Sequence, residues 1–169
     1  MKIALIPGSF DPITLGHVNI IERAAAIFDK VYVAVMNNDS AKYAEGLKSK
    51  SYMFEMEDRL AIAKLSVSHL SNVEAIARSG MLIDLCDELG ATAIVKGIRN
   101  SADLEYEMIH AKWNREHNER AETLFLPADE KLTAVSSTFV REKLNAGEYS
   151  ALDGVLADGA IEYIKNRKI

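Results

Sequence analysis

Three short stretches of this chain hold residue types suited to handling anions. "PGSFDPITLGH" (7–17) carries Gly8, Ser9, Phe10 and two prolines ahead of His17. "KGIRN" (96–100) sets Lys96 and Arg99 around Gly97 and Ile98, and "SST" (136–138) puts Ser136, Ser137 and Thr138 at the opening of a helical pattern. Glycine admits close approach to the main chain, and serine offers a hydroxyl as well as an amide. Lysine and arginine suit phosphate oxygens. A histidine in a first helical turn lies where unpaired N–H groups and the helix dipole favour an anion. Each stretch also has a plain structural use, as a tight turn, a solvated basic loop or a helix cap. Taken singly, none of the three decides between the two uses.

The elements that must position them alternate in a regular way. Strand-like runs at 2–6, 30–36, 72–77, 91–97 and 122–127 are separated by helical patterns. Those patterns run over 16–28, 55–70, 81–89, 102–118 and 136–147, with a short amphipathic tail from 159. In the first helix His17, Ile20, Ile21, Ala24 and Phe28 recur at helical spacing. "KVYVAVM" is apolar throughout, as a strand covered on both faces would be. Residues 37–52 are polar without a period and read as a long loop. This alternation predicts a single α/β domain over 1–169, a doubly wound, five-stranded parallel sheet. Ligands of such sheets bind beyond the carboxyl ends of the strands. "PGSF", the lysine-rich loop, "RSGML", "KGIRN" and "PADEKLTAVSS" all fall there.

Composition narrows the function. The chain of 169 residues is 49% hydrophobic and 27% charged, a globular balance. Its 20 Lys and Arg against 25 Asp and Glu leave a net charge of −5, which argues against a nucleic-acid partner. The lone Cys86 can form no internal disulfide and reads as a buried small hydrophobe in a reducing compartment. No run approaches the roughly 20 apolar residues of a membrane span. "MKIALIPGSFDP" breaks too early for a secretory signal, so a cytoplasmic protein without a membrane partner is expected. GxGxxG and GxxxxGK[ST] are absent, which excludes the common dehydrogenase and P-loop signatures. No HExxH or clustered His, Cys and Asp suggests a metal fixed by protein residues.

Taken together, the end stretches carry a paired signature. "GSFDPITLGH" resembles the T/S-F-D-x-x-x-x-G-H motif of the nucleotidyltransferase superfamily, and "SSTFVRE" resembles its closing motif. Between them "VKGIRNSADLEYEMIHAKWNR" is similar to the central block of the bacterial phosphopantetheine adenylyltransferase family. The likeness covers nearly the whole chain and implies a Rossmann-like fold.

It implies transfer of AMP from ATP to 4′-phosphopantetheine, giving dephospho-coenzyme A and pyrophosphate, the penultimate step of coenzyme A synthesis. By the same resemblance His17, Lys96 and Arg99 are catalytic, with His17 stabilising the transition state. Ser9, Phe10, His17, Gly97, Ile98, Arg99 and Glu107 bind ATP, and the segment Leu132, Thr133, Ala134, Val135, Ser136, Ser137 and Thr138 wraps it. Ser9, Lys50, Leu82, Lys96 and Asn114 hold the phosphopantetheine. Magnesium is expected to arrive with ATP, and the family suggests a homohexamer of two trimers. The chemistry suits these residues. The attacking phosphate is already largely ionised near neutral pH (second pKa about 6), so no general base is needed. The work is to align two mutually repelling anions and neutralise the developing charge.

The chain departs from the family pattern at three places. Lys96 stands where arginine is frequent, keeping the charge without the bidentate fork. Leu132 stands where an aromatic residue is frequent, and the loop after the second strand is longer than usual. In that loop Lys50 precedes "SYMF", which best matches the lead into the next helix, and Lys42 is its rival. A nicotinamide mononucleotide adenylyltransferase or a cytidylyltransferase would share the end motifs, but not the "KGIR…EYE" block or the short length. A binding module without catalysis would tolerate loss of His17, Lys96 and Arg99. A purely structural protein would leave the polar residues at the strand ends unexplained.

Overall fold

The computed structural model describes residues 1–37 and 51–167. Five strands, β1 (Ile3–Gly8), β2 (Lys30–Met36), β3 (Val73–Arg78), β4 (Ala93–Ile98) and β5 (Glu122–Pro127), form one sheet in the order β3-β2-β1-β4-β5. Every pairing is parallel. The helices are α1 (Leu15–Ala25), α2 (Met56–Val67), α3 (Leu82–Leu89), α4 (Ser101–His117), α5 (Ser137–Asn145) and α6 (Asp158–Arg167). Two strands match their expected bounds residue for residue, and the others shift by one or two positions at an end. α1 stops at Ala25, so Phe28 packs on the core from the following turn and not from the helix. Gly90 ends α3 in the left-handed region (φ 65°), where a side chain would be strained.

Helices cover both faces, and the strand period of two assigns each side chain to one of them. Ala4, Val33, Ala93 and Val95 meet α1, α2, α5 and α6 in the larger core. Leu5, Ala34 and Ile94 meet α3 in the smaller one. Cys86 is fully buried there, and burial, with Asp87 adding to it, pushes its thiol up to about 11. It is a packing residue, inert as a nucleophile at neutral pH. The same parity carries to the end of β4. Lys96 shares the face of Ile94 and meets α4, while Gly97 shares the face of Val95 and meets α1. A Cβ on Gly97 would lie 3.0 Å from Ile20 Cγ1, so this glycine is required by the packing of α1 across β4.

Because all strands run one way, Ser9, Asn37, Ser79, Arg99 and Ala128 leave the sheet along one edge. β1 and β4 are neighbours whose following helices lie on opposite faces, which opens the crevice typical of a switch point.

The C-terminal helix is tied down by a buried carboxylate. Asp58 of α2 accepts from Tyr163 Oη (2.7 Å) and Arg167 Nε (2.7 Å) of α6. The hydrogen bond to Asp58, then burial, raises the Tyr163 pKa above its ordinary 10.0. A raised folded-state pKa means the stabilisation is complete below that ordinary value and is lost as pH climbs through the raised one. Tyr163→Phe should therefore cost about 1 kcal/mol near neutral pH. Urea unfolding of both proteins should show that difference shrinking well above pH 10.0.

Candidate active site

Between β1 and α1 the chain turns through residues 9–14, including a cis Asp11–Pro12 peptide, and Thr14 O accepts the first helical hydrogen bond from Val18 N (3.0 Å). Side chains from elsewhere meet three of the other carbonyls. Arg59 Nη1 donates to Ser9 O (2.8 Å), Arg141 Nη1 to Asp11 O (2.6 Å) and Ser137 Oγ to Pro12 O (2.8 Å). The Asp11 carboxylate, 1% exposed, accepts from the Met53 and Phe54 amides, each at 2.9 Å. Arg141 Nη1 lies 3.8 Å from the same carboxylate.

Phe10 sits in the left-handed region (φ 44°), an uncommon place for a bulky residue. Its packing holds it there. The ring is 4% exposed, meets His17 edge-on with centroids 5.3 Å apart, and folds over Gly8. A Cβ on Gly8 would lie 2.8 Å from Phe10 Cζ. The Phe10 ring thus fills the space beside Gly8. The Phe10 side chain points into the core, which leaves only its main chain for any ligand contact.

His17 is the third residue of α1, and Thr14 is the N-cap. The Thr14 amide donates to His17 Nδ1 at 3.0 Å, and Thr14 Oγ1 lies 3.0 Å from the same nitrogen. The Thr14 side chain in turn receives the His17 amide, completing a capping box. An N–H directed at Nδ1 needs its lone pair, so the neutral ring carries its proton on Nε2. Capping anchors one ring nitrogen and places the proton on the other. Of the other first-turn amides, Leu15 donates to Val155 O (2.8 Å), which leaves the Gly16 N–H. A Cβ on Gly16 would lie 3.4 Å from Val135 O and 3.5 Å from Leu132 O. The closing segment therefore rests against the N-terminus of α1.

Both cations at the end of β4 already hold carboxylates. Lys96 Nζ donates to Glu107 Oε1 at 3.3 Å and sits 3.0 Å from Oε2. The second contact lacks hydrogen-bond geometry, so Oε2 is buried without a donor. Arg99 grips Asp103 with Nε to Oδ2 (2.8 Å), Nη2 to Oδ1 (3.1 Å) and its own amide to Oδ2 (3.1 Å). Their mutual hydrogen bonds hold the Arg99 pKa above and the Asp103 pKa below the ordinary values. With Arg99 about half exposed, such a pair is worth only about 0.5 kcal/mol, so a phosphate group can displace the carboxylate.

The hydroxyls of the closing segment are also engaged. Ser136 caps α5 by accepting from the Phe139 amide (3.1 Å), Ser137 holds Pro12, and Thr138 Oγ1 accepts from Arg141 (3.1 Å). Leu132 ends a 3₁₀ turn (Glu130–Leu132), followed by exposed Thr133 and Ala134. Leu82 is half-buried at the start of α3. Asn114 is buried on α4, seven residues beyond Glu107 and so on the same helix face. Lys50 and Lys42 lie outside the described residues.

The structure thus joins the turn 9–17 directly to 132–138 and sets Lys96, Gly97, Ile98, Arg99 and Glu107 at the adjoining strand end. Leu82 packs on the other face of the sheet from α1, against the core of Leu5, Ala34 and Ile94. Sequence reasoning passed over Asp11, Arg59, Asp103 and Arg141. Asp11 and Arg141 sit inside the two quoted motifs, and Arg99 and Asp103 have the i,i+4 spacing of an ion pair. Arg59 follows Glu55, Glu57 and Asp58 and so reads as one more charge at a charged helix start.

Residues 5–143 match the cytidylyltransferase-like family. The chain is 44% identical over 142 residues to the phosphopantetheine adenylyltransferase of Actinobacillus succinogenes, covering 84% of this chain and 83% of that one. It is 43% identical over 150 residues to that of Mannheimia succiniciproducens (88% and 89% covered). For that of Staphylococcus haemolyticus the figures are 40% over 139 residues (82% and 81%). This chain belongs to the phosphopantetheine adenylyltransferase family. A Vibrio parahaemolyticus protein assigned as a nicotinate-nucleotide adenylyltransferase shares the fold, with a TM-score of 0.72 over 98% of this chain and 93% of that one at 20% identity.

For a member of this family the capped histidine carries a direct test. His17→Ala removes the Nε2 donor and the side-chain half of the capping box. Turnover should fall by at least about tenfold, equivalent to about 1.4 kcal/mol of transition-state stabilisation, while circular dichroism shows the fold retained. An unchanged kcat would remove His17 from the mechanism.

Proposed function

We propose that this chain transfers AMP from ATP to 4′-phosphopantetheine by in-line displacement. An oxygen of the acceptor phosphate forms a bond to the α-phosphorus as the bond to the bridging oxygen breaks. Dephospho-coenzyme A forms, pyrophosphate leaves, and no covalent enzyme intermediate is involved. The observation that carries this reading is the anchored His17 ring, with Nδ1 filled by Thr14 and the proton on Nε2, at the start of α1 beside the closing segment. A fixed neutral donor can bond to an α-phosphate oxygen as its charge grows, without reorganising at that moment.

The remaining assignments belong to the same reading. Ser9, at the carboxyl end of β1, stands between the two substrates. Lys96 and Arg99 exchange Glu107 and Asp103 for phosphate oxygens, and the main chains of Phe10, Gly97 and Ile98 with the segment 132–138 line the nucleotide site. Leu82, Asn114 and a lysine of the 38–50 segment, Lys50 ahead of Lys42, receive the pantetheine arm. ATP enters as its magnesium complex, the ion riding on the substrate's own phosphates. Among the described residues no three His, Cys, Asp or Glu side chains converge to bind an ion by themselves. We place the enzyme in the cytoplasm, where a buried, unpaired thiol is stable. Among the described residues no helix is long and apolar enough to cross a membrane.

A homohexamer belongs to the proposal as well. On α4, Tyr106 (52% exposed), Ile109 (68%) and Trp113 (38%) share one face, an apolar surface suited to a second copy of the chain.

Incubation with ATP, magnesium and 4′-phosphopantetheine should yield pyrophosphate and dephospho-coenzyme A in equal amounts. Nicotinamide mononucleotide with ATP, and CTP with glycerol 3-phosphate, serve as controls; product in a control alone would overturn the reading. Sedimentation should give the mass of six chains, and Ile109→Glu should lower it.

A further inference from the structure

Arg59 is an expensive residue to bury. It is 2% exposed and heads the largest fully buried side chains of the described residues. Desolvation pulls its pKa down, opposed chiefly by Asp11. An apolar residue of similar volume would fill the same space without that cost, so the guanidinium must do something that packing does not require.

What it does is visible in its contacts. Nη1 donates to Ser9 O (2.8 Å), Nε to Phe54 O (3.1 Å) and Nη2 to Asn37 Oδ1 (2.5 Å). The Tyr52 ring lies 4.2 Å from the guanidinium carbon. Ser9 begins the turn after β1, Asn37 is the first residue after β2, and Tyr52 and Phe54 lead into α2. One rigid planar fork therefore gathers three separate backbone segments at the sheet edge. The Asp11 carboxylate completes the clasp from the other side through the Met53 and Phe54 amides.

We propose that Arg59 is a positioning residue for the adenylyl transfer: by binding Ser9 O, Phe54 O and Asn37 it holds the Ser9 turn at one distance from the pantetheine side of the site. It touches neither substrate and acts through Ser9. The inference rests on the proposed reaction, because alignment of two anions matters only if they must react. A lysine keeps the charge but cannot present a planar three-way fork, so charge and geometry can be separated.

The test compares Arg59→Lys, Arg59→Met and the core control Ile62→Val with the wild type, in kcat, KM for each substrate and melting temperature. Wild-type activity in the assay above establishes the reaction first; its absence would defeat that reading and not this one. Both Arg59 variants should lose at least about tenfold in kcat, with KM for ATP changed by less than about threefold. Ile62→Val should lower the melting temperature and leave kcat as it was, as a purely structural effect would. An Arg59→Lys protein with kcat within about twofold of wild type would overturn the proposal, whatever its melting temperature. Should both buried variants fail to fold, exposed Asn37→Ala supplies the decision. A loss of at least about threefold in kcat is expected from it, and an unchanged kcat would overturn the proposal.

Discussion

A buried turn that has left the sheet and not yet entered a helix cannot meet its own carbonyls with a ladder, and this constraint organises the site. Residues 9–14 belong neither to the sheet nor to a helix, yet their carbonyls are largely withdrawn from water. The carbonyls of residues 9, 11 and 12 are met by side chains from distant parts of the chain: Arg59 of α2, Arg141 and Ser137 of α5. Asp11 does the converse, taking the amides of residues 53 and 54. The turn is thus held as a rigid object. Phe10 is part of the same device, its positive φ maintained by a ring wedged over Gly8 and against His17.

Charge is handled with similar economy. A site for two phosphorylated substrates needs cations, but cations gathered in an empty crevice repel one another. Here Lys96 and Arg99 are each paired with a carboxylate from the facing helix. The pairs fix the side-chain directions before any ligand arrives, and the exposed one is weak enough to yield to a phosphate. Local neutrality of this kind also fits a chain whose overall charge is −5. Arg59 is different, because its partners are main-chain carbonyls and an amide oxygen, which no substrate displaces.

Much of the fold was legible in the sequence, because its signals are local and periodic. Runs such as "KVYVAVM" and "ETLFLP" are short, with turn signals at their ends, and they appear as strands at the expected residues. Strict alternation with helices then forces parallel strands and a single functional edge. The site was legible as a set of motifs, since residues 9–17 and 132–138 do meet at α1. The sequence did not show that Phe10 packs over Gly8 and Ile20 over Gly97, since nothing local announces which neighbour will lie beside a missing side chain.

By itself, then, the sequence determined the order of elements, the edge where the chemistry belongs and the residue types gathered there, all consequences of spacing along one chain. Only the tertiary structure decided which partners those residues keep. That His17 is anchored through Nδ1, that Lys96 faces α4 while Gly97 faces Ile20 of α1, and that Arg59 clasps residues 9, 37 and 54 depend on contacts that reach far along the chain, from Gly97 back to Ile20 in the longest case. Hydrogen bonds of this kind are chosen by three-dimensional proximity and by the need to satisfy every buried polar group, and neither has a period that can be read along the chain.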